Sequence, residues 1–513
     1  MSAPNTNRRD PYVERLARGA GITSFGSGIG HILNYAIQIL LAQMYGATQL
    51  GLYVLGFTVI RVADILAQFG LSSGVVRYVA QYRTENDSAR MRGTILLALW
   101  IAFALSVALA TLLFFGAGFL ADRVFSEPLL ATVLRLFAVS LPFLTVMNIA
   151  LWATQAFQTM KYTTYVQEIQ RPLLNLVLVV VFYLVGSQVF GAVLAYAIST
   201  AAGTVLAIYY LKQVFPRLLD RSVPPIFETR ALLGASAPMV VSNSMLRVND
   251  WVAVSVVGIF ATAESVGIFN AAVRTAAVSS IVLGAFRIFT PMISDLYNRG
   301  KMQHLSDLYK NVSRWAFTGS LAIFLVTVLL AKDIMLVFGP QFVGGWIVLV
   351  IISGAQLFNS STGHTGRALA MTGHQRVVML ATLGATAAGI ASSAVLVPAY
   401  GILGGGVALA ASTTLLNAVT LFSVRRHLGL WPYNREYLKS IVAGGLSFAG
   451  AYLLQSTLPL AAGIPTVSVI APLFLIAYTA LLVIFGLSPG DRQLLTSFWA
   501  SVRRPRLREA RAT

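Results

Sequence analysis

Arg61 and Asp64 stand three residues apart in the middle of an apolar stretch running from about Leu50 to Val76. Arg247 and Asp250 repeat that spacing in a second apolar stretch, and Arg274 lies in a third. An ionised side chain at the centre of a lipid bilayer costs about 2.5–3.5 kcal/mol on insertion scales, so such residues face a partner or a water-filled cavity. A spacing of three puts Arg and Asp on one helix face, where each can neutralise the other. Two chemistries are open to these groups. The Arg–Asp pairs can lock helices or hold a gate. Arg61 and Arg274 can instead recognise an anion, because guanidinium offers a planar fork of donors that matches phosphate. Arg367, beside His364, joins Asp64 and Asp250 as a candidate for gating or ion coupling.

Polar residues without charge accompany them. His31, Asn34 and Gln38 follow one another by three and four residues and so share a helix face. That face can line a hydrated cavity or make hydrogen bonds between helices. No catalytic constellation accompanies these groups: there is no GxxxxGK[ST] loop, no HExxH and no cysteine. The reading is of a protein with no catalytic residue, no metal site and no cofactor.

The elements that must position these residues follow from hydropathy. Of the 513 residues 57% are hydrophobic and only 11% charged, against about 25% charged in soluble domains. Mean hydropathy is +0.75. The apolar residues fall in blocks of about 18–25, the length that crosses about 30 Å of hydrocarbon. Backbone groups in lipid must be satisfied internally, so the blocks are helices. We place spans at about 22–45, 50–76, 93–116, 131–157, 164–186, 189–211, 232–257, 264–292, 313–331, 342–370, 377–397, 401–424, 437–455 and 465–486. The fold class is all-α and polytopic, with about fourteen transmembrane helices. The first apolar block lacks a cleavage site and reads as a retained span.

A net charge of +19 suggests nucleic acid only until the charges are located. Alternate loops carry them: Arg83, Arg90 and Arg92; Lys161 and Arg171; Lys212, Arg217, Arg221 and Arg230; Arg299, Lys301, Lys310 and Arg314; Arg376; Arg425, Arg426, Arg435 and Lys439; and the tail. The intervening loops hold little beyond Arg123 and Lys332. About 29 of the 37 basic residues thus lie on one side, which the positive-inside rule makes cytoplasmic, together with both termini. Anionic membrane lipids are the partner of these loops; no nucleic acid is expected.

The chain also repeats itself at a shift of about 213–216 residues. Gly51-Leu52-Tyr53 matches Gly267-Ile268-Phe269, Arg83 matches Arg299, Phe125 matches Phe338, and Ala156-Phe157-Gln158 matches Ala370-Met371-Thr372. An even number of spans per half makes the repeats parallel. The expected organisation is a basic N-terminus (1–21), a six-helix bundle (22–213), a polar linker rich in proline (214–230), a second six-helix bundle (231–425), two further helices (426–490) and a basic cytoplasmic tail (491–513). Arg61 and Arg274 fall about ten and seven residues after the matching glycines, so each half offers one arginine at similar depth.

Gly46-Ala47-Thr48-Gln49-Leu50-Gly51-Leu52-Tyr53, Ala156-Phe157-Gln158 and Val337-Phe338-Gly339-Pro340-Gln341-Phe342 resemble the corresponding segments of Wzx-type polysaccharide flippases, over nearly the whole chain. Those flippases belong to the multidrug/oligosaccharidyl-lipid/polysaccharide exporter (MOP) superfamily, with MATE transporters and the lipid II flippase. The resemblance implies two six-helix bundles around a central cavity, in the bacterial cytoplasmic (inner) membrane. It implies an undecaprenyl-pyrophosphate-linked oligosaccharide as substrate, a precursor of surface polysaccharide or O-antigen, moved from the cytoplasmic to the periplasmic leaflet. A polysaccharide polymerase and export machinery would be further partners. Arg61 and Arg274 occupy places like those of pyrophosphate-binding cations in helices two and eight of the lipid II flippase. Arg247, His31, Asn34 and Gln38 complete the expected substrate-binding set. Where that flippase carries arginines in helix one this chain has His31 and Asn34, which favours a related saccharide lipid over lipid II.

Two rival readings make different demands. A MATE-type cation antiporter needs a mainly acidic cavity and usually has twelve spans. A membrane polymerase or ligase needs a long outer loop with catalytic residues.

Overall fold

The computed structural model describes residues 11–218, 220, 222–285 and 289–486; side chains are described except those of 11–27, 235, 237–250, 252, 280, 283, 285, 290 and 291. The first ten residues, Arg221, Arg287 and the tail 491–513 therefore lie outside the described residues, as do the side chains of Arg247 and Asp250. Ten helical stretches among the described residues are long and apolar enough to cross a membrane. Two of these, Gly28–Thr84 and Gln375–Leu428, are each a pair of spans merged across a non-helical glycine, Gly46 and Gly401. With two further helices that begin at Thr229 and Ala263, the long helices number 14, and the chain is a multi-pass membrane protein of all-α class. The helices form two compact units.

The first unit comprises Met1–Ala271 with Thr386–Ala408. Helix α1 (Pro11–Gln68) turns at Gly46, whose φ of 77° and ψ of 178° are open to a residue without Cβ. Phe69 and Gly70, both at positive φ, separate it from α2 (Leu71–Thr84). Asp87 caps α3 (Ser88–Phe119) by accepting from the Arg90 amide at 2.9 Å. Then come α4 (Leu130–Ala156), the single turn α5 (Lys161–Thr163), a π-helix at Thr164–Gln170, α6 (Arg171–Leu184) and α7 (Val189–Val214). After the linker follow α8 (Thr229–Phe260) and the start of α9 (Ala263–Ala276). α4 is the hub: α1, α2, α3 and α7 all pack on it, and Phe137, Leu141, Leu144 and Met147 are fully buried. α3 instead exposes Trp100, Leu112, Phe115 and Phe119, as a lipid-facing helix does. Lipid is as apolar as leucine, so close packing rather than water exclusion holds such helices together.

α1 and α9 approach each other closely. A Cβ on Gly51 would overlap the carbonyl of Ala263 and stand 3.1 Å from the Gly267 nitrogen. A Cβ on Gly267 would overlap the carbonyl of Ala47 and stand 3.2 Å from the Gly51 nitrogen. The two glycines matched by the repeat are thus the contact itself, and only glycine lets the backbones meet.

The linker, expected as a polar tether, is stitched to the start of α3. Arg92 donates to the carbonyls of Leu218, at 3.0 Å, and Val223. The Ile226 amide donates to the Ala89 carbonyl at 3.2 Å, and Gly93 leaves room for the Ile226 backbone. Glu228 pairs with Arg90 at 3.1 Å and accepts from the Tyr82 hydroxyl.

The second unit comprises Ala272–Ala385 with Leu409–Thr513. It holds the end of α9, α10 (Ser279–Ala285), α11 (Thr290–Asn298), α12 (Met302–Leu329), α13 (Ala331–Phe338), α14 (Trp346–Thr362), α15 (Thr365–Met371), the outer parts of α16 (Gln375–Leu428), α17 (Glu436–Thr457) and α18 (Ile464–Ile484). The last two helices pack on α12 and α13. Tyr478 donates to the Thr318 carbonyl at 3.1 Å, Thr318 and Ser440 share a 2.8 Å hydroxyl bond, and Asp333 accepts from the Gly463 amide at 2.9 Å.

Candidate functional site

Asp64 is only 3% exposed, on the inner face of α1. Its Oδ2 accepts from Gln68 Nε2 at 2.9 Å and Asn148 Nδ2 at 3.0 Å, and its Oδ1 from Thr145 Oγ1 at 2.9 Å. The Asn148 carbonyl in turn accepts from Gln167 Nε2 at 2.8 Å. One carboxylate thus ties α1 to α4 and, through Asn148, to the π-helix. Charge-assisted bonds of this kind are about twice as strong as neutral ones. Arg61, one turn away and expected to neutralise Asp64, lays its guanidinium over the Phe57 ring at 4.9 Å.

Around Arg61 stands an aromatic wall. Phe57 contacts Trp251 at 5.3 Å and Tyr196 at 5.4 Å between ring centroids. Tyr196 also contacts Phe137 at 5.5 Å. The Nε of Arg61 is buried without a hydrogen-bond partner, as are the Tyr196 hydroxyl and the Asn175 Oδ1. A half-buried arginine over an aromatic face keeps part of its donor fork uncommitted, which is the state a cation needs to receive an anion.

Arg171 joins this cluster, and the grouping of its charge with the cytoplasmic loops is corrected: it lies within the expected span 164–186 and opens α6, directly after the π-helix. Its guanidinium lies over Tyr196 at 5.9 Å and interacts electrostatically with Arg61, Glu168 and Tyr53. Glu168, on the π-helix, interacts with both Arg171 and His31. It sits against Gly30, where any side chain would collide with it. The run Gln167-Glu168-Ile169-Gln170-Arg171 carried the signal: four polar residues at the edge of an apolar block, with Gln167, Gln170 and Arg171 on one face. Arg314 is corrected likewise. It was counted with the loop charges but is 6% exposed within α12, where it interacts with Tyr437.

The polar face of α1 divides its work. Gln38 accepts from Asn270 of α9 at 3.0 Å, Asn34 donates to the Gly30 carbonyl at 2.7 Å, and His31 is exposed beside Glu168. In the second unit, Arg274 is half-buried in the last turn of α9. Arg367 is half-buried in α15, and His364 sits at the α14–α15 break beside Gly363. Tyr309 and Tyr437 tie that break down, donating to the carbonyls of Thr362 at 2.7 Å and Ser361 at 3.2 Å.

Fourteen long helices with arginines partly or fully buried in the spans define a polytopic membrane protein of all-α class. The fold is similar to that of the lipid II flippase MurJ in an inward closed conformation, with a TM-score of 0.73 at 13% identity over 90% of this chain and 98% of that one. It is also similar to an inward-facing MATE family multidrug resistance transporter, with a TM-score of 0.64 at 16% identity over 78% of this chain and 94% of that one. A MOP superfamily transporter from Pyrococcus furiosus gives a TM-score of 0.57 at 18% identity over 82% of this chain and 97% of that one. Residues 16–297 match the polysaccharide biosynthesis protein family model, and the chain belongs to that family. A curated relative, the probable low-salt glycan biosynthesis flippase Agl15 of Haloferax volcanii, is 27% identical over 206 residues. That alignment covers 39% of this chain and 43% of the relative, less than half of its length.

Proposed function

We propose that this protein is a flippase for a polyprenyl-pyrophosphate-linked oligosaccharide. In this reading the lipid is undecaprenyl pyrophosphate, and the headgroup passes from the cytoplasmic to the periplasmic leaflet of the bacterial cytoplasmic membrane by alternating access. The observation that carries it is Arg61: a cation within a membrane span, stacked on Phe57, with a buried donor that has no partner. Arg274 is its counterpart in the second half. Family membership and the similarity to Agl15 support a glycan substrate. A cation antiporter would need a carboxylate free to take its cargo, whereas Asp64 already receives three donors and Glu168 lies within reach of the Arg171 cation.

The anionic headgroup enters from the cytoplasmic side while the polyprenyl tail stays in lipid. With the inside negative, outward passage of each negative charge is favoured by about 2.3 kcal/mol per 100 mV. The positive-inside bias supports cytoplasmic termini. Nothing in this cycle calls for covalent chemistry, so the protein acts as a transporter.

The test is transport of a fluorescent lipid-linked oligosaccharide in proteoliposomes carrying Arg61→Ala or Arg274→Ala. Loss of transport is expected; normal transport at normal protein levels would overturn the anion-site reading. Dependence on potential, with no response to proton or sodium gradients, is the expected coupling.

A further inference from the structure

The cluster around Arg61 contains a second cation that none of the matched segments singles out. We infer that Arg171 is the partner of Arg61 in a two-arginine pyrophosphate clamp, and that the Glu168 carboxylate competes with the substrate for Arg171. The inference rests on the flippase reading and deepens it.

Three observations lead there. First, Arg61 and Arg171 come from α1 and α6 and stand over the two rings of one touching pair, Phe57 and Tyr196, whose centroids are 5.4 Å apart, near enough to interact as like charges. Two guanidinium groups brought together within a membrane span repel each other unless an anion lies near both. Each is steadied by an aromatic face, Arg61 by Phe57 at 4.9 Å and Arg171 by Tyr196 at 5.9 Å, which orients a cation without neutralising it. Second, the polar groups beside Arg171 are unfinished. Tyr196 is 3% exposed and Asn175 7% exposed, yet the Tyr196 hydroxyl and Asn175 Oδ1 have no hydrogen-bond partner. A buried polar group without a partner is costly, and a bound headgroup with its hydroxyl-bearing sugar would satisfy both. Third, an anion stands about one turn before Arg171: the Glu168 carboxylate, on the π-helix and placed against Gly30, within electrostatic reach of Arg171 and His31 but not ion-paired with Arg171. A carboxylate is a smaller version of what a phosphate presents to a guanidinium fork.

These pieces fit a competition. In the empty carrier the Glu168 charge partly offsets that of Arg171, and Arg61 stays on its ring. A pyrophosphate with two negative charges matches two arginines, where a monophosphate matches one. When it arrives, one phosphate takes Arg61 and the other takes Arg171 against the competing Glu168 charge. The carboxylate then turns to His31, its other neighbour. The clamp thus selects pyrophosphate over monophosphate, and Glu168 sets the affinity at which headgroup is taken and released.

The experiment measures binding of farnesyl pyrophosphate and farnesyl monophosphate to the full chain in nanodiscs. Wild type is expected to prefer the pyrophosphate. Arg171→Gln should weaken pyrophosphate binding about 30-fold, the size of one lost charge-assisted contact, and abolish the preference over monophosphate. Glu168→Gln should tighten it about 5-fold. In the Glu168→Gln/Arg171→Gln double variant that gain should vanish, because Glu168 acts through Arg171; a gain that persists would make Glu168 only a distant charge and overturn the competition. If Arg61→Gln loses binding while Arg171→Gln keeps wild-type affinity and selectivity, the clamp is refuted and the flippase reading stands. If wild type binds neither probe, the flippase reading itself fails. Should Arg171→Gln not fold, Glu168→Gln decides alone, and unchanged affinity there refutes the inference.

Discussion

Replacing Asp64 tests whether that carboxylate is a structural knot or a carrier of coupling ions. It accepts three hydrogen bonds at 2.9, 2.9 and 3.0 Å from Gln68, Thr145 and Asn148. In Asp64→Asn the amide oxygen can still accept from Gln68 and Asn148, and the new NH2 meets the Thr145 hydroxyl, which can turn to accept. What disappears is charge assistance, about 1 kcal/mol per bond. Burying a charge no longer costs anything, which offsets part of that loss. The net is about 1–2 kcal/mol of destabilisation. Asp64→Ala is harsher, for it leaves two amides and a hydroxyl buried with no acceptor, at about 1–3 kcal/mol for each group. Partial relaxation brings the total to about 3–6 kcal/mol. Thermal unfolding in detergent, followed by tryptophan fluorescence, should rank wild type above Asp64→Asn above Asp64→Ala, with Thr145→Val between the first two. An Asp64→Ala protein as stable as wild type would refute the knot. If such a protein also lost its response to an ion gradient, Asp64 would be the coupling site.

Three further outcomes follow from contacts elsewhere. Gly51→Val should force α1 and α9 apart and destabilise by about 1–3 kcal/mol, whereas Gly116→Ala in α3, where nothing stands within 4 Å of the added carbon, should leave unfolding unchanged or slightly later; equal behaviour of the two would refute the close crossing. Arg92→Ala should release the linker carbonyls of Leu218 and Val223 and speed limited proteolysis between residues 214 and 226; an unchanged cleavage rate would show that Ala89 and Glu228 hold the linker alone. Tyr478→Phe removes one hydrogen bond to the Thr318 carbonyl and should cost about 0.5–1.5 kcal/mol, read as an earlier unfolding of the detergent-solubilised chain; no shift would mean that ring packing alone seats α18.

Hydropathy made the helices legible, because crossing lipid demands length and apolarity that no other constraint imitates. Arg61, Asp64 and Arg274 were legible for the same reason: a charge in the middle of an apolar block has no innocent explanation. Arg171 and Arg314 escaped because they stand near block ends, where a basic residue also serves as a topology signal. Nothing local separates the two roles; the distinction depends on how far the helix continues past the residue. The three donors to Asp64 divide in the same way. Gln68 is one turn away and visible as a neighbour, but Thr145 and Asn148 arrive from α4, a pairing that requires the packed bundle. The π-helix at Thr164–Gln170 carries no marker in hydropathy at all, yet its register sets where Gln167 and Glu168 point.

The crossing of α1 and α9 has a history written into its pairing. Gly51 meets Ala263 and Gly267 meets Ala47, and each member of one pair stands about 216 residues from its mate in the other. That is the rule of an isologous interface: where surface i touches j, surface j touches i. In a shorter ancestor with one copy of the repeat, the same glycine would have met the same alanine of a second molecule. On a duplication origin, the seam now inside one chain would descend from the two-fold contact of a homodimer. Fusion would free the two copies to diverge around it, so that a cluster such as Arg61, Arg171 and Glu168 can sit in one half without being imposed on the other.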